Sequence, residues 1–413
     1  MNFVELTENE YQKYWENHPE KTFLSAIEIA KLRKKSNWNV YYLGVKQDKK
    51  IIAGAMLLSH KRHFNSYEFY SPRGFLLDYH NEELLSFFTE NVKRFIKEKN
   101  GYVLRIDPYI INKERNLDGN LVEGGVDNTS VITFLYKLGF KKVSLSNTEQ
   151  VSWMFSLNLE GKTADEILKE MKQNTRNIIR KTEKIGIKIK ELSYEELPEF
   201  QNIMLETGAR KGFSIRDASY YEEMYKLLHD KDEVKYFITY LDLNEYIAKL
   251  ESERAEKQEK YDKGQRKGIE IDIDLLEKRI SEAKAIKEEA KQDVITLSCA
   301  MFILVKPEII YLSGGNYEKY MNFNSQYLLQ WEMIRWSIEE KCRIYDFRGV
   351  SGDLSEDNPL YGLYRFKKGF GGDFCEFIGE LNLVFSPFLN FAITKGERIF
   401  RRLRKKVFMM KNK

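Results

Sequence analysis

The sequence predicts a mixed α/β (α+β) fold: two tandem copies of one unit, with an antiparallel helical coiled-coil arm inserted in the second. Three observations carry that expectation. The order hairpin, strand, amphipathic helix, strand occurs twice, a stretch of heptad spacing interrupts the second occurrence, and 413 residues exceed what one hydrophobic core ordinarily supports. Hydrophobic residues make up 42% of the chain and aromatic ones 14%, enough to fill two cores. The expected divisions are 1–150 for the first unit, 151–242 with 295–390 for the second, 243–294 for the arm, and 391–413 for a basic amphipathic tail.

In the first copy, residues 8–15 and 25–35 read as helices, with Phe23, Leu24, Ile27, Ala30 and Leu32 supplying an apolar stripe. The run NVYYLGVKQDKKIIAGAMLLSHKRH places two apolar segments around the polar turn Gln47-Asp48-Lys49-Lys50, a hairpin signature. YEFYSPRGFLL follows as a third strand. Residues 81–97 then form an amphipathic helix with Leu84, Leu85, Phe88, Val92, Phe95 and Ile96 on one face, closed by the Asn100-Gly101 cap pair before the strand YVLRIDPY. The second copy repeats the order with VKYFITYLD, VITLSCAMFILV and EIIYLSGG, a helix over 323–340 carrying Tyr327, Trp331, Ile334 and Ile338 on one face, and CRIYDFRGV. Both final strands close on an aspartate, Asp107 and Asp346.

Between the copies, residues 163–184 read as one helix opened by a capping box from Thr163 to Glu166. Its cations Lys169, Lys172, Arg176, Arg180 and Lys184 recur every three or four residues, so they share a face that is either solvated or a contact for a phosphate backbone. In the arm, Leu243, Ile247, Leu250, Arg254, Lys257 and Tyr261 keep heptad spacing, as do Leu276, Ile280, Ala283, Lys287, Ala290 and Val294, with Gly264 and Gly268 between the runs. Arg254, Lys257 and Lys287 are expected to snorkel from weak seam positions. Such an arm either contacts a large partner or braces a domain.

Residues 358–381 hold six aromatics, five glycines and the pair Lys367-Lys368 without a clean helical or strand period. They are expected to form a shaped loop: aromatics, Tyr364 and Phe366 among them, wall a substrate site, glycines admit close backbone approach to something bound, and a lysine is held where little water competes. Over 395–413, nine Lys and Arg face one acid, Glu397, and Ile399, Leu403, Val407 and Met410 are spaced for one helical face. This tail fits an interfacial helix at an anionic membrane surface, with nucleic-acid contact or solubility as the alternatives.

Several chemistries are disfavoured by the sequence. A net charge of +4 means that an anionic partner is met by local patches rather than by the overall field. Cys299, Cys342 and Cys375 are scattered, which fits a reducing compartment and no disulfide framework. Neither a signal peptide nor an apolar run of membrane-spanning length is seen, so a cytoplasmic protein is expected. The chain has no GxxxxGKS/T phosphate loop, no Rossmann GxGxxG after a strand and no GxSxG elbow. His60 and His63 lack the carboxylate or cysteine that would complete a metal site. The repeated unit resembles the acetyltransferase-like (GNAT) fold, yet Phe366 stands where the Q/R-x-x-G-x-G/A cradle for acyl-CoA needs Gln or Arg ahead of Gly369 and Gly371.

The whole chain resembles the FemABX family of aminoacyl-tRNA-dependent peptidyltransferases. The carrying segments are KKSNW (34–38), YSPRGFLLDY (70–79), RIDPY (105–109), ETGARKGFSIRDASYYEEMY (206–225), the arm, YDFRGVSGD (345–353) and LYRFKKGF (363–370). The resemblance implies two tandem GNAT-like subdomains with an arm, a precursor-binding cleft in the first, and no cofactor or metal. It implies transfer of glycine, alanine or serine from a charged tRNA to the stem-peptide lysine amine of lipid II, building the peptidoglycan interpeptide bridge. By the same resemblance, Lys35 and Trp38 hold the precursor's phosphates and sugar, Arg216 and Tyr220 close on that group, Lys367 stabilises the oxyanion or helps the leaving group, and Asp107 is a candidate base for the attacking amine. The basic helix and the arm are then candidate tRNA contacts, and the tail keeps the enzyme peripheral at the inner leaflet of the cytoplasmic membrane. A CoA-dependent N-acyltransferase and a non-catalytic tRNA or envelope scaffold are the competing expectations.

Overall fold

A computed structural model describes residues 1–144, 148, 150–264 and 268–396. Its strands are β1 (Asn2–Glu5), β2 (Asn39–Gln47), β3 (Lys50–Lys61), β4 (Tyr67–Ser71), β5 (Gly101–Ile106), β6 (Ile111–Lys113), β7 (Lys141–Lys142), β8 (Trp153–Asn158), β9 (Lys188–Glu191), β10 (Val234–Asp242), β11 (Val294–Val305), β12 (Glu308–Asn316), β13 (Ile344–Gly349), β14 (Asp373–Phe377) and β15 (Leu381–Val384). Two compact units divide the chain. The first comprises Met1–Phe155, Gly349–Tyr364 and the described residues from Asp373 onward; the second comprises Ser156–Arg348 and Arg365–Gly372. This division departs from the one drawn on the sequence, because 349–364 and 373–390 fall with the first unit.

The first unit is built on a seven-stranded sheet ordered β1-β2-β3-β4-β5-β15-β7. Strands β2 and β3 form the expected hairpin, with Tyr42 opposite Met56; Asp48 and Lys49 both take positive φ, the twist a two-residue hairpin turn requires. β4 and β5 run parallel, so they need a crossover. Helix Glu82–Glu98 supplies it. Asn81 caps that helix, its Oδ1 accepting the Leu84 N–H at 3.0 Å, and Leu84, Leu85, Phe88, Val92, Phe95 and Ile96 are all buried as their spacing predicts. Each such side chain contributes about 1.5–3 kcal/mol by leaving water. At the turn into β5, a Cβ on Gly101 would lie 2.2 Å from Ile96, so only glycine lets the helix settle on the sheet there.

The second unit repeats this plan. β10, β11 and β12 pair antiparallel, β12 and β13 pair parallel, and β9 flanks β10. The crossover helix Ser325–Glu339 buries Leu328, Leu329, Trp331, Met333 and Ile334, a broader set than one stripe because the helix is covered on more than one side. Tyr327 and Ile338 stay half-buried.

Between β10 and β11 stand the two arm helices, Leu243–Asp262 and Ile269–Ala290. Leu243, Ile247 and Leu250 meet Leu276, Ile280 and Ala283 in one buried cluster that also takes in Ile295 and Leu297 of β11. The seam cations do more than snorkel: Arg254 pairs with Glu277 at 2.7 Å and Lys257 with Asp272 at 2.5 Å, and beside the seam Lys284 pairs with Glu251 at 2.7 Å. Partner numbers fall on one helix as they rise on the other, which is antiparallel pairing. Lys287 instead turns to Asp293 at 2.9 Å and to Asn244.

Two expected elements differ. Residues 163–184 are two helices, Ala164–Glu170 and Gln173–Ile185, broken at the extended Met171 and Lys172. The Thr163–Glu166 capping box is present, but the Lys172 N–H donates to the Gly369 carbonyl at 2.9 Å, and that long-range bond replaces the helical one. Residues 358–381 are ordered as helix Tyr361–Gly369 followed by β14 and β15 rather than as a loop. The tail expected over 391–413 lies outside the described residues after Gly396.

The arm's division into an apolar base and a salt-bridged outer part gives a prediction. Leu250→Ala should cost about 2–4 kcal/mol in denaturant unfolding, because a buried leucine leaves a cavity. Arg254→Ala, at an exposed pair, should cost under about 1 kcal/mol.

Candidate active site

Helix Tyr361–Gly369 starts where Asn358 Oδ1 accepts the Leu360 N–H at 2.8 Å, and its residues divide between the two units. Positions three apart, Tyr364 and Lys367, turn inward and are buried, while Gly362, Leu363 and Arg365 are exposed. In the first unit, the Tyr364 hydroxyl donates to the Leu117 carbonyl at 3.0 Å and its ring packs near Phe155 and Phe374. Its ring is buried among these aromatics and its hydroxyl is engaged by the protein itself.

Lys367, in the second unit, is only 3% exposed. On the same helix segment, Phe366 meets Tyr327 edge-on at 4.8 Å, Phe370 stacks with Tyr327 at 5.7 Å, and Phe347 lies 5.2 Å from Phe370. Burial is the first cause acting on the amine, and it lowers the Lys367 pKa from 10.5 to about 7; the Asp346 carboxylate opposes that shift and the Arg348 guanidinium adds to it. At neutral pH the group is therefore divided between ammonium and amine. A lysine so poised can hold a negative oxygen, donate a proton and take it back.

Asp346 and Arg348 are a feature that reading the sequence did not assign to the site. Asp346 is buried on β13, and the Arg348 N–H donates to its Oδ1 at 2.6 Å from a backbone with φ of +64°. The signal available was the paired strand-end aspartates, Asp107 and Asp346, of the two copies. Asp107 in the first unit also accepts an arginine N–H, but from the distant turn after β4: Arg73, with φ of +58°, donates its N–H to Asp107 Oδ1 at 2.9 Å and brings its guanidinium within 3.7 Å of Oδ2. Both residues are buried. Asp107 thus ties the SPRG turn to the end of β5, and the neighbouring Tyr70 phenol is pushed well up by burial and by the Asp107 charge.

Two of the glycines expected to admit a ligand, Gly369 and Gly372, are taken up by the chain, whereas a Cβ on Gly362 would meet open space. A Cβ on Gly369 would lie 2.3 Å from Thr175 Oγ1, and one on Gly372, at φ of +86°, 2.2 Å from the Ser156 carbonyl.

Lys35 and Trp38 sit together at the end of helix Ile27–Lys35, where Arg33 and Lys34 add to the charge. Lys35 is exposed, while half-buried Trp38 stacks on His60 at 5.0 Å with the Arg33 guanidinium 5.4 Å from its ring. An aromatic plate beside exposed cations suits a sugar phosphate. Arg216 and Tyr220 are likewise paired, the exposed guanidinium 5.4 Å from the ring, at the start of helix Ala218–Leu228.

Of the five basic residues expected on one face, Lys169, Lys172, Arg180 and Lys184 are exposed, but the helix break separates the first two from the others. Arg176 is half-buried and donates to the carbonyls of Lys169 and Met171 at 2.7 and 2.9 Å, so it closes the break. The first unit also holds a cleft of about 530 Å³, lined by Gln150, Val151, Trp153, Val350, Gly352 and Asp353 among others. No cluster of metal-ligating side chains occurs among the described residues.

The chain thus duplicates one α/β unit and buries a lysine of lowered pKa in the second copy. The chain belongs to the FemAB family, whose model matches residues 6–395. It is 30% identical to the aminoacyltransferase FemA of Staphylococcus epidermidis, across 92% of this chain and 95% of that protein, and 29% identical to FemA of Staphylococcus aureus, across 92% and 94%. It is also similar to the crystal structure of FemX, with a TM-score of 0.73 and 27% identity over 95% of this chain and 100% of that one. With that kinship, the protein is an aminoacyltransferase.

Lys367 makes stability depend on pH. The folded amine binds its proton more weakly than the unfolded one, so the unfolded state holds the extra proton between about pH 7 and the ordinary lysine range. Stability should rise with pH across that window, by up to about 1.4 kcal/mol per pH unit. Lys367→Met should remove that contribution, which denaturant titration of both proteins at a series of pH values would show.

Proposed function

We propose that the protein transfers glycine, alanine or serine from aminoacyl-tRNA to the stem-peptide lysine amine of lipid II or a related precursor, building the interpeptide bridge of peptidoglycan. The observation that carries this reading is the buried Lys367, placed on the FKK segment of a chain whose kinship to FemA runs nearly end to end. The neutral acceptor amine attacks the ester carbonyl; a C–N bond forms, the C–O bond to the ribose breaks, the amine releases a proton, and the ribose oxygen receives one. Lys367 as ammonium would stabilise the tetrahedral oxyanion and supply the proton to the ribose oxygen. The ester is already activated, so holding the two substrates in place contributes much of the rate.

Lys35 and Trp38, and Arg216 and Tyr220, are assigned to the precursor's phosphates and sugar, and Tyr364 and Phe366 to apolar walls. Lys169, Lys172, Arg180 and Lys184 are assigned to the tRNA backbone, with Arg176 holding the segment's shape. Asp107 is assigned to positioning, since Arg73 engages it through both backbone and guanidinium. No helix of the described residues is long and apolar enough to cross a membrane, and the basic residues after 395 would hold the enzyme at the anionic inner face of the cytoplasmic membrane.

Mass spectrometry of lysine-containing lipid II, incubated with the protein and separately charged glycyl-, alanyl- and seryl-tRNA, tests the reaction. A gain of one amino acid with one donor is expected, and no gain on either plain or already branched lipid II would overturn the reading. Lys367→Met should lower the rate by about a hundredfold or more. Because Asp346 raises the Lys367 pKa, Asp346→Asn should move the alkaline fall of the rate to lower pH.

A further inference from the structure

Residues 387–396 are helical, and their two sides differ sharply. One side is fixed: Ile393, 6% exposed, packs with Leu389 against Tyr102 and Val103 of β5. The other presents Phe388 and Phe391, three apart, at 77% and 64% exposure, the first the most exposed large hydrophobic side chain among the described residues. Because the buried side is held by the sheet, the helix cannot roll to hide them. Lys395, one turn beyond, sets its ammonium 5.5 Å from the Phe391 ring.

We propose that this face is a membrane-docking surface, Phe388 and Phe391 inserting into the headgroup and acyl boundary of a bilayer that carries anionic lipid. The inference rests on the membrane reading above and adds an apolar insertion to a purely electrostatic attraction. The chain's own continuation selects this occupant. Residues 397–413 bring eight Lys and Arg against one acid, interleaved with Ile399, Phe400, Leu403, Val407, Phe408, Met409 and Met410. Cations complement an anionic surface, and apolar residues among them gain from an interface that is part water and part hydrocarbon. An RNA backbone would reward the cations and leave Ile399, Leu403, Val407, Met409 and Met410 in water.

Flotation of the full-length protein with phosphatidylcholine vesicles, with and without phosphatidylglycerol and at low and high salt, tests this. Phe388→Ala with Phe391→Ala should lower partition about tenfold, with the loss persisting at high salt, while activity on a soluble precursor stays unchanged. Arg401→Gln with Arg402→Gln and Arg404→Gln should lower binding mainly at low salt. Phe391→Trp should gain a blue-shifted emission, on phosphatidylglycerol vesicles, that brominated acyl chains quench. If the alanine pair partitions as the parent does while the glutamine triple loses binding, the insertion is wrong and the membrane reading stands. If neither set of changes lowers binding, both fall. If the alanine pair keeps vesicle binding but loses tRNA affinity, the face belongs to RNA and the proposal is overturned.

Discussion

Keeping an ammonium group out of water is the constraint around which the second unit's candidate site is arranged. A pKa lowered from 10.5 to about 7 corresponds to roughly 5 kcal/mol against the charged form of Lys367. That is comparable to the net stability of many domains. The charge is tolerated because Asp346 is buried with it, and Asp346 is in turn held by the Arg348 backbone. A carboxylate alone would draw the amine back to a permanent cation. Arg348, carrying a fixed positive charge, opposes that pull, and the balance falls near neutrality.

In both units a buried aspartate at the end of the parallel pair accepts the backbone N–H of an arginine at positive φ, through different connections. Arg348 lies two residues after Asp346, whereas Arg73 reaches Asp107 from the turn after the neighbouring strand. Non-glycine residues adopt that conformation at a cost. In the first unit the arginine side chain also brings its charge within 3.7 Å of the aspartate. In the second, a lysine shares the aspartate's field. What recurs is the buried strand-end carboxylate; the arginine that reaches it and the charge it faces differ between the units.

What could be read from the sequence was what is local. The hairpin of β2 and β3, helix Glu82–Glu98 and the heptads of the arm follow from side-chain periods that no distant contact alters. What could not be read was set by distant contacts. Met171 and Lys172 sit in a segment of helical spacing, but a bond to Gly369, almost two hundred residues away, pulls them into extended backbone. Helix Tyr361–Gly369 hid for a different reason: it is only nine residues long, has glycine near both ends, and buries a lysine, Lys367, on the side where the period calls for an apolar residue. Lys367 was reached through its segment's likeness to a family, whereas Asp346 and Arg348 acquire their meaning only when β13 is placed beside that helix.

The chemistry of ester aminolysis explains why a tuned lysine suits the site better than a permanent cation. Charge on the carbonyl oxygen appears and disappears within one turnover, while a proton must move from the attacking amine to the departing ribose oxygen. An arginine could meet the first demand but would hold its proton throughout. A lysine in water would be nearly as reluctant. Burial is what makes the second demand reachable: with Lys367 only 3% exposed, the loss of hydration lowers the cost of surrendering the proton, and that same burial becomes a component of the acid–base chemistry.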